Sequence, residues 1–451
     1  MTNAPLRYAR NGDVRLAYRV FGDAGPFLIW VSGWVLSNVD TIDEPGSPYA
    51  EFVDLVSQST RSIVWDRRGT GLSDPSTQPP SIDQRIDDVR AILDAAGADR
   101  AAFLGTSEGG SVSVVFSATH PERVASLVLY GTTARYSQEL PDFPWGFTPA
   151  EIESQLDEID SRWGDGALAD LFYGATADTP GVREMFGKLQ RAMASPTMAK
   201  LWWKAFMEID VRGVLASVRA PSLVMARPGD RLVPIEAAAA LAAAIPEAHF
   251  QPLPEGPHSP FDIAGDIVSS TVDFVCEKPS ERPDERILKT VLFTDIVGST
   301  EQLGTHGDAH WRRQLDAHDR AVDWLLEKYG GHRAKHTGDG IFALFDGPTK
   351  AVRCALELVP TLATRGIPIR AGVHIGECER RGAEWSGMAV HTGARIGALA
   401  GTGEVLASRT VRDLSAGSGL TFESLGPQQL KGLPEAIDVY RITTPTSGLT
   451  K

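Results

Sequence analysis

Residues Leu104-Gly105-Thr106-Ser107-Glu108-Gly109-Gly110 fit the pattern G-x-S-x-G and stand between the apolar run Ala101–Thr106 (AAFLGT) and a helical stretch. Strand, sharp turn and helix are the context that lifts such a serine above a sheet edge with its hydroxyl exposed. By itself the pattern arises easily by chance, and a glycine-rich turn is the plainer reading. Two further residues arrive in the order the chemistry needs. Asp230 follows the run Pro221–Ala226 in ARPGD, and His258 follows Phe250–Leu253 in EGPHSP. An aspartate orients an imidazole, and the imidazole takes the serine proton. Ser107, Asp230 and His258 are therefore read as a catalytic triad.

Working outward, Phe27–Ser32, Ser62–Asp66 and Ala125–Tyr130 are further short runs rich in β-branched residues, with helical segments such as Ile82–Ala96 between them. This alternation predicts a doubly wound, mostly parallel α/β sheet. Residues from about 135 to 212 break it, with Trp, Met, Phe and Glu at helical spacing, and predict an inserted helical cap. There Trp202, Trp203 and Phe206 are candidates for an apolar pocket or for the cap's own core.

These residues resemble the α/β-hydrolase family over about residues 5 to 278. Asp66-Arg67-Arg68-Gly69-Thr70-Gly71-Leu72-Ser73 looks like a turn frequent in that family. The resemblance implies an oxyanion hole from the backbone N–H groups of Glu108 and Trp34. It also implies a small acyl or ester ligand. Ser32 stands where family members commonly carry histidine.

The chain has 451 residues, enough for more than one core. Domains are expected at 1–278 and 288–445, joined by a polar, proline-containing linker at 279–287. The formal net charge of −14 falls entirely on residues 1–280, because residues 281–451 carry equal numbers of acidic and basic side chains. An acidic half argues against nucleic acid and anionic membranes as partners. No apolar run reaches the ~18 residues a membrane helix needs, and the start lacks a secretory pattern. A cytoplasmic protein is expected. The three cysteines, at 276, 354 and 378, have neither disulfide-framework nor metal-ligand spacing.

A second constellation follows the linker. In Val291-Leu292-Phe293-Thr294-Asp295-Ile296-Val297-Gly298-Ser299-Thr300 an aspartate ends an apolar strand before a glycine turn, which suits a cation-bound phosphate at a helix start. Lys335-His336-Thr337-Gly338-Asp339-Gly340 then precedes the strand Ile341–Phe345 and aims a second carboxylate from a tight hairpin. Two carboxylates without thiolates favour Mg²⁺ or Mn²⁺. Trp311–Lys328 reads as a long helix and Pro368–His374 as a strand, a mixed α+β pattern.

Together with Gly387-Met388-Ala389-Val390-His391-Thr392-Gly393-Ala394-Arg395 and Leu430-Lys431-Gly432-Leu433, these motifs resemble a class III nucleotidyl cyclase domain over about residues 286 to 443. The resemblance implies an α+β, ferredoxin-like fold acting as a homodimer with shared sites. It implies conversion of ATP, with GTP as the alternative, to cyclic nucleotide and pyrophosphate. Two ions would be held by Asp295, Asp339 and the Ile296 carbonyl. Phe293, Lys335, Glu384 and Lys431 would contact the nucleotide, and His391 and Arg395 the transition state. His391 replaces the family's usual asparagine, and Glu384 its usual aspartate. The alternative is an ester hydrolase whose cyclase-like part serves only for dimerisation or nucleotide sensing.

Overall fold

The computed structural model describes residues 4–34, 37–43, 47–276, 286–298, 308–336, 340–381, 384–433 and 435–443. The chain divides into two compact units, residues 1–80 with 84–282, and 81–83 with 283–451. Most of the expected linker lies outside the described residues.

The first unit is built on strands β1 (Arg7–Asn11), β2 (Val14–Phe21), β3 (Phe27–Val31), β4 (Arg61–Trp65), β5 (Ala101–Thr106), β6 (Val124–Tyr130), β7 (Ser222–Ala226) and β8 (His249–Pro252). They form one sheet in the order β1-β2-β4-β3-β5-β6-β7-β8. From β4 to β8 neighbours run parallel, while β1 and β2 form an antiparallel hairpin on one edge. The sequence reading placed no strand before Phe27. RYARN and VRLAYRVF carry exposed arginines at Arg7, Arg10 and Arg15 and a buried one at Arg19, so they lack the continuous apolar run that marks a strand buried on both faces.

Helices α1 (Pro48–Ser57), α2 (Ile82–Ala96) and α3 (Glu108–Thr119) belong to the sheet framework. Every residue of α3 is buried, which explains its composition of Gly, Ser, Val and Ala behind the leading Glu108. The cap carries α4 (Pro149–Arg162), α5 (Ala169–Tyr173), α6 (Val182–Met193) and α7 (Pro196–Met207). Its ends meet in an isolated antiparallel bridge between Arg135 and Asp210. Helices α8 (Ile235–Ala244) and α9 (Ala264–Cys276) complete the unit.

The second unit has its own sheet: β9 (Arg286–Ile296), β10 (His332–His336), β11 (Gly340–Phe345), β12 (Ile369–Arg381), β13 (Glu384–Ser386), β14 (Val405–Ser408), β15 (Thr421–Gln428) and β16 (Ile437–Thr443). The order is β10-β11-β9-β12-β14-β16-β15, with β13 paired to β12. Among the described residues only the β12–β14 pair is parallel. Helices α10 (Asp308–Tyr329), α11 (Pro348–Ala363), α12 (Met388–Leu399) and α13 (Arg409–Leu414) accompany it. Among the described residues, no helix is long and apolar enough to cross a membrane.

Candidate functional site

Ser107 is the residue at which β5 turns into α3. Its φ of 54° lies in a region that side chains other than glycine seldom adopt. The local sequence holds that strain. The Ser107 N–H donates to the Tyr130 carbonyl (2.9 Å), and its carbonyl accepts from the Thr132 hydroxyl (2.9 Å) and the Gly110 N–H (3.0 Å). Gly109 is required for a different reason: a Cβ there would stand 2.0 Å from the Val31 carbonyl oxygen, so any side chain would push α3 off β3.

Asp230 sits in the loop after β7. Its Oδ1 accepts from the N–H groups of Leu232 (2.8 Å) and Val233 (2.9 Å), and its Oδ2 meets His258 Nδ1 at 2.7 Å. This leaves the opposite ring nitrogen of His258 as the one available to a serine proton. Both residues are buried. His258 sits in a notch, since a Cβ on Gly131 (φ 55°) would come within 2.9 Å of its Cε1.

Arg227 escaped the sequence reading although it stands in the same ARPGD segment. It forms a two-pronged pair with Asp262 (2.7 and 2.8 Å) and donates to the carbonyls of Pro254 and Ser259, pinning the loop that carries His258. Its one readable signal was an arginine at the end of an apolar strand.

Ser107 and His258 face a small, partly open cavity. The cap contributes Phe172, Tyr173, Phe186 and Leu189 to its wall. Trp202, Trp203 and Phe206 are absent from that wall and fully buried, so they are cap core. No Lys, Arg, Asp or Glu lines the cavity among the described residues. Burial holds the Tyr49 hydroxyl well above the usual phenol range and pushes that of Tyr173 up to about 12, so both stay protonated.

The expected oxyanion donors differ from one another. The Glu108 N–H opens α3 and has no acceptor among the described residues. The Trp34 N–H instead donates to the Glu108 carboxylate at 3.2 Å. A second oxyanion donor at Trp34 is thus already engaged, by the side chain that follows the serine. Burial would push the Glu108 carboxyl up, but Arg67 and Arg85 together hold it below its ordinary value. Arg67 Nη2 reaches Glu108 Oε2 at 2.8 Å, Arg85 Nη1 pairs with Oε1, and Arg67 Nη1 donates to the Trp34 carbonyl. Both guanidiniums lie over the Trp202 ring, 4.3 and 4.4 Å from its centroid.

In the second unit Asp295 lies on β9 between two register partners, Gly340 on β11 and Arg370 on β12. Asp339, the companion carboxylate expected from sequence, lies outside the described residues, as does the Glu384 side chain. Arg370, which sequence reasoning missed, donates to Asp295 Oδ2 from Nε (3.0 Å) and Nη2 (2.5 Å) and to the Ala398 carbonyl of α12 (3.1 Å). Ile296 is buried at the end of β9. Phe293 stacks flat on Phe342 at 4.8 Å, which makes it a packing residue of the sheet. Lys335 on β10 and Lys431 beyond β15 are exposed. His391 and Arg395 sit one turn apart on the exposed side of α12. No hydrogen bond or ion pair joins Asp295 to Lys335, His391, Arg395 or Lys431 among the described residues. Nor do these residues contain a group of three His, Cys, Asp or Glu side chains fit to hold a metal ion. With Asp295 engaged by Arg370, they do not by themselves make a cation site.

The chain is similar to 2-hydroxymuconate semialdehyde hydrolase of Pseudomonas putida, at 30% identity over 207 residues, or 43% of this chain and 69% of that one. It is also similar to the strigolactone esterase D14 of Arabidopsis thaliana, at 27% identity over 40% of this chain and 69% of that one. The solved esterase RhEst1 from Rhodococcus sp. ECU1013 shares the fold at TM-score 0.51 and 23% identity, covering 60% of this chain and 99% of that one. The adenylyl cyclase CyaB from P. aeruginosa aligns with 36% of this chain and 97% of that one, at TM-score 0.34 and 20% identity. A family model described as alpha/beta hydrolase fold matches residues 44–264. That stretch contains Ser107, Asp230 and His258, and the chain belongs to the alpha/beta hydrolase fold family and is a hydrolase of that fold.

Proposed function

We propose that the N-terminal unit hydrolyses small, neutral acyl esters through an acyl-Ser107 intermediate. The observation that carries this is the His258–Asp230 pair at 2.7 Å beside a strained serine, opening on a cavity whose wall holds no Lys, Arg, Asp or Glu among the described residues. The Ser107 oxygen bonds to the ester carbon as the carbonyl π electrons move onto oxygen. His258 takes the hydroxyl proton and passes it to the departing alcohol as the old C–O bond breaks. Water then attacks the acyl-enzyme by the same route, releasing the acid and regenerating Ser107. A carboxylate on the acyl group would enter an apolar cavity with no cation to meet it, at a cost of several kcal/mol. Neutral p-nitrophenyl esters should therefore turn over and the hemisuccinate should not. Ser107→Ala should lose roughly 10⁶-fold in rate. Equal rates for Ser107→Ala and wild type would end the reading.

A second reading gives the C-terminal unit a nucleotidyl cyclase activity, supported by the motif set around Asp295, Asp339, His391 and Arg395 and by the pairing of Asp295 with Gly340, the residue after Asp339. Incubation with ATP or GTP and Mg²⁺ or Mn²⁺, with products identified by mass spectrometry, tests it. Intact nucleotide under every condition would leave that unit with the dimerisation or nucleotide-sensing role.

A further inference from the structure

Glu108 sits beside the nucleophile, yet its side chain is fully buried and points away from solvent into a cluster of charges. A carboxylate so near a developing oxyanion would by itself oppose the chemistry. It is outnumbered. Arg67 and Arg85 both pair with it, and the neighbouring Arg68 is matched one-to-one by Asp88 (2.7 and 2.5 Å). At Glu108 itself two buried guanidiniums meet one carboxylate, a local excess of positive charge. Burial brings the Arg85 guanidinium down to about 10, which keeps it charged at neutral pH. The cluster is bonded to the loop after β3, where the N–H and C=O of Trp34 are both taken by it, and Glu108 is itself the residue after Ser107.

We propose that the Arg67–Glu108–Arg85 cluster is the electrostatic half of the oxyanion hole, its local excess of positive charge stabilising the tetrahedral oxyanion in place of the Trp34 N–H that Glu108 occupies. The Glu108 N–H is the direct donor. The buried charge supplies what a second donor supplies elsewhere, because a fixed charge in a low-dielectric site needs no reorganisation as the oxyanion forms. Both guanidiniums lie over the Trp202 ring, so the cap is part of the device. Arg67 and Arg85 act through this field and are positioning residues.

The inference rests on Ser107 being the acylated nucleophile, and the experiment separates the two. Wild type is first labelled with a fluorophosphonate. No label at Ser107 would overturn both readings together. With labelling established, butylboronic acid, which forms a tetrahedral anion on a serine oxygen, is compared with neutral butyramide as a ligand in wild type, Arg85→Gln and Arg85→Lys. Arg85→Gln should lose about 10²-fold in boronate affinity and in kcat for p-nitrophenyl butyrate, with KM and butyramide affinity within about twofold. Arg85→Lys keeps the charge and should stay within about fivefold of wild type on every readout. Unchanged boronate affinity in Arg85→Gln, or equal loss of boronate and butyramide, overturns the inference. Should Arg85→Gln fail to fold, a folded Arg85→Lys that loses boronate about 10²-fold overturns it equally.

Discussion

Arg370 and Asp295 are directly opposed on the antiparallel strands β12 and β9, and the arginine donates twice to one carboxylate oxygen. A cation that binds Asp295 through Oδ2 has to share that oxygen with a guanidinium or displace it. The pair is partly exposed and so worth up to about 1 kcal/mol. Arg370→Ala should therefore tighten Mn²⁺ binding by roughly fivefold, read by titration of the free-ion electron paramagnetic resonance signal. Weaker binding in the variant would mean that Arg370 organises the carboxylate instead of competing for it.

The separation of Asp295 from His391 and Arg395 bears on the cyclase reading. If two chains complete each other's sites, Asp295→Ala and Arg395→Ala are each inactive as homodimers. Mixed under subunit exchange they assort so that about half the dimers are heterodimers with one intact site, and activity returns to roughly a quarter of wild type. Cyclic nucleotide formation against mixing ratio measures this. A flat baseline in mixtures shown to contain heterodimers would place each site within one chain.

The notch at Gly131 predicts a catalytic defect far larger than the size of the change. Gly131→Ala puts a methyl 2.9 Å from His258 Cε1 at a backbone angle unfavourable to alanine. The imidazole must move, and displacement on the order of 1 Å costs about 10²-fold in rate. kcat for a p-nitrophenyl ester should fall by about that factor, while circular dichroism shows the fold retained.

At the base of the cap, Asp210 pairs with Arg135 (2.9 Å) and Arg212 (2.6 Å). Burial pushes its carboxyl up, yet Arg212 and Arg135 outweigh this and hold it below the ordinary value of 3.8. The sign follows from linkage. The folded state binds the proton less readily than the unfolded state, so this stabilisation is complete above the unfolded pKa and is lost as pH falls through the folded one. Asp210→Asn should cost about 2 kcal/mol at pH 7, and denaturant titrations should show the gap closing below about pH 4. A gap independent of pH would mean that charge plays no part.

The triad was legible because its constraints are local and ordered. A strand, a glycine-flanked serine and a helix fit within a dozen residues, and Asp230 and His258 each follow a readable apolar run. The Arg67–Glu108–Arg85 cluster was not legible. Its members and their supports, Trp34 and Trp202, come from five stretches that only the parallel sheet and the cap bring together, and no spacing announces a contact of that range. Arg370 escaped for a related reason. A charged residue within a strand reads as a solvated face until the register shows Asp295 across from it. The cap aromatics were ambiguous because pocket wall and helix core use the same residue types.

The Arg135–Asp210 bridge has an evolutionary consequence. The cap leaves the framework and re-enters it through two backbone positions paired as antiparallel neighbours, about 5 Å apart. Everything between them is one continuous insert, and the residues that perform bond-making, Ser107, Asp230 and His258, all lie outside it. The insert supplies Phe172, Tyr173, Phe186 and Leu189, which shape the acyl cavity. Substrate preference can therefore be exchanged as a cassette, from Tyr136 to Ile209, without disturbing the reaction chemistry. One residue of the cassette is constrained: an aromatic platform at Trp202 must come with any replacement, because Arg67 and Arg85 rest on it.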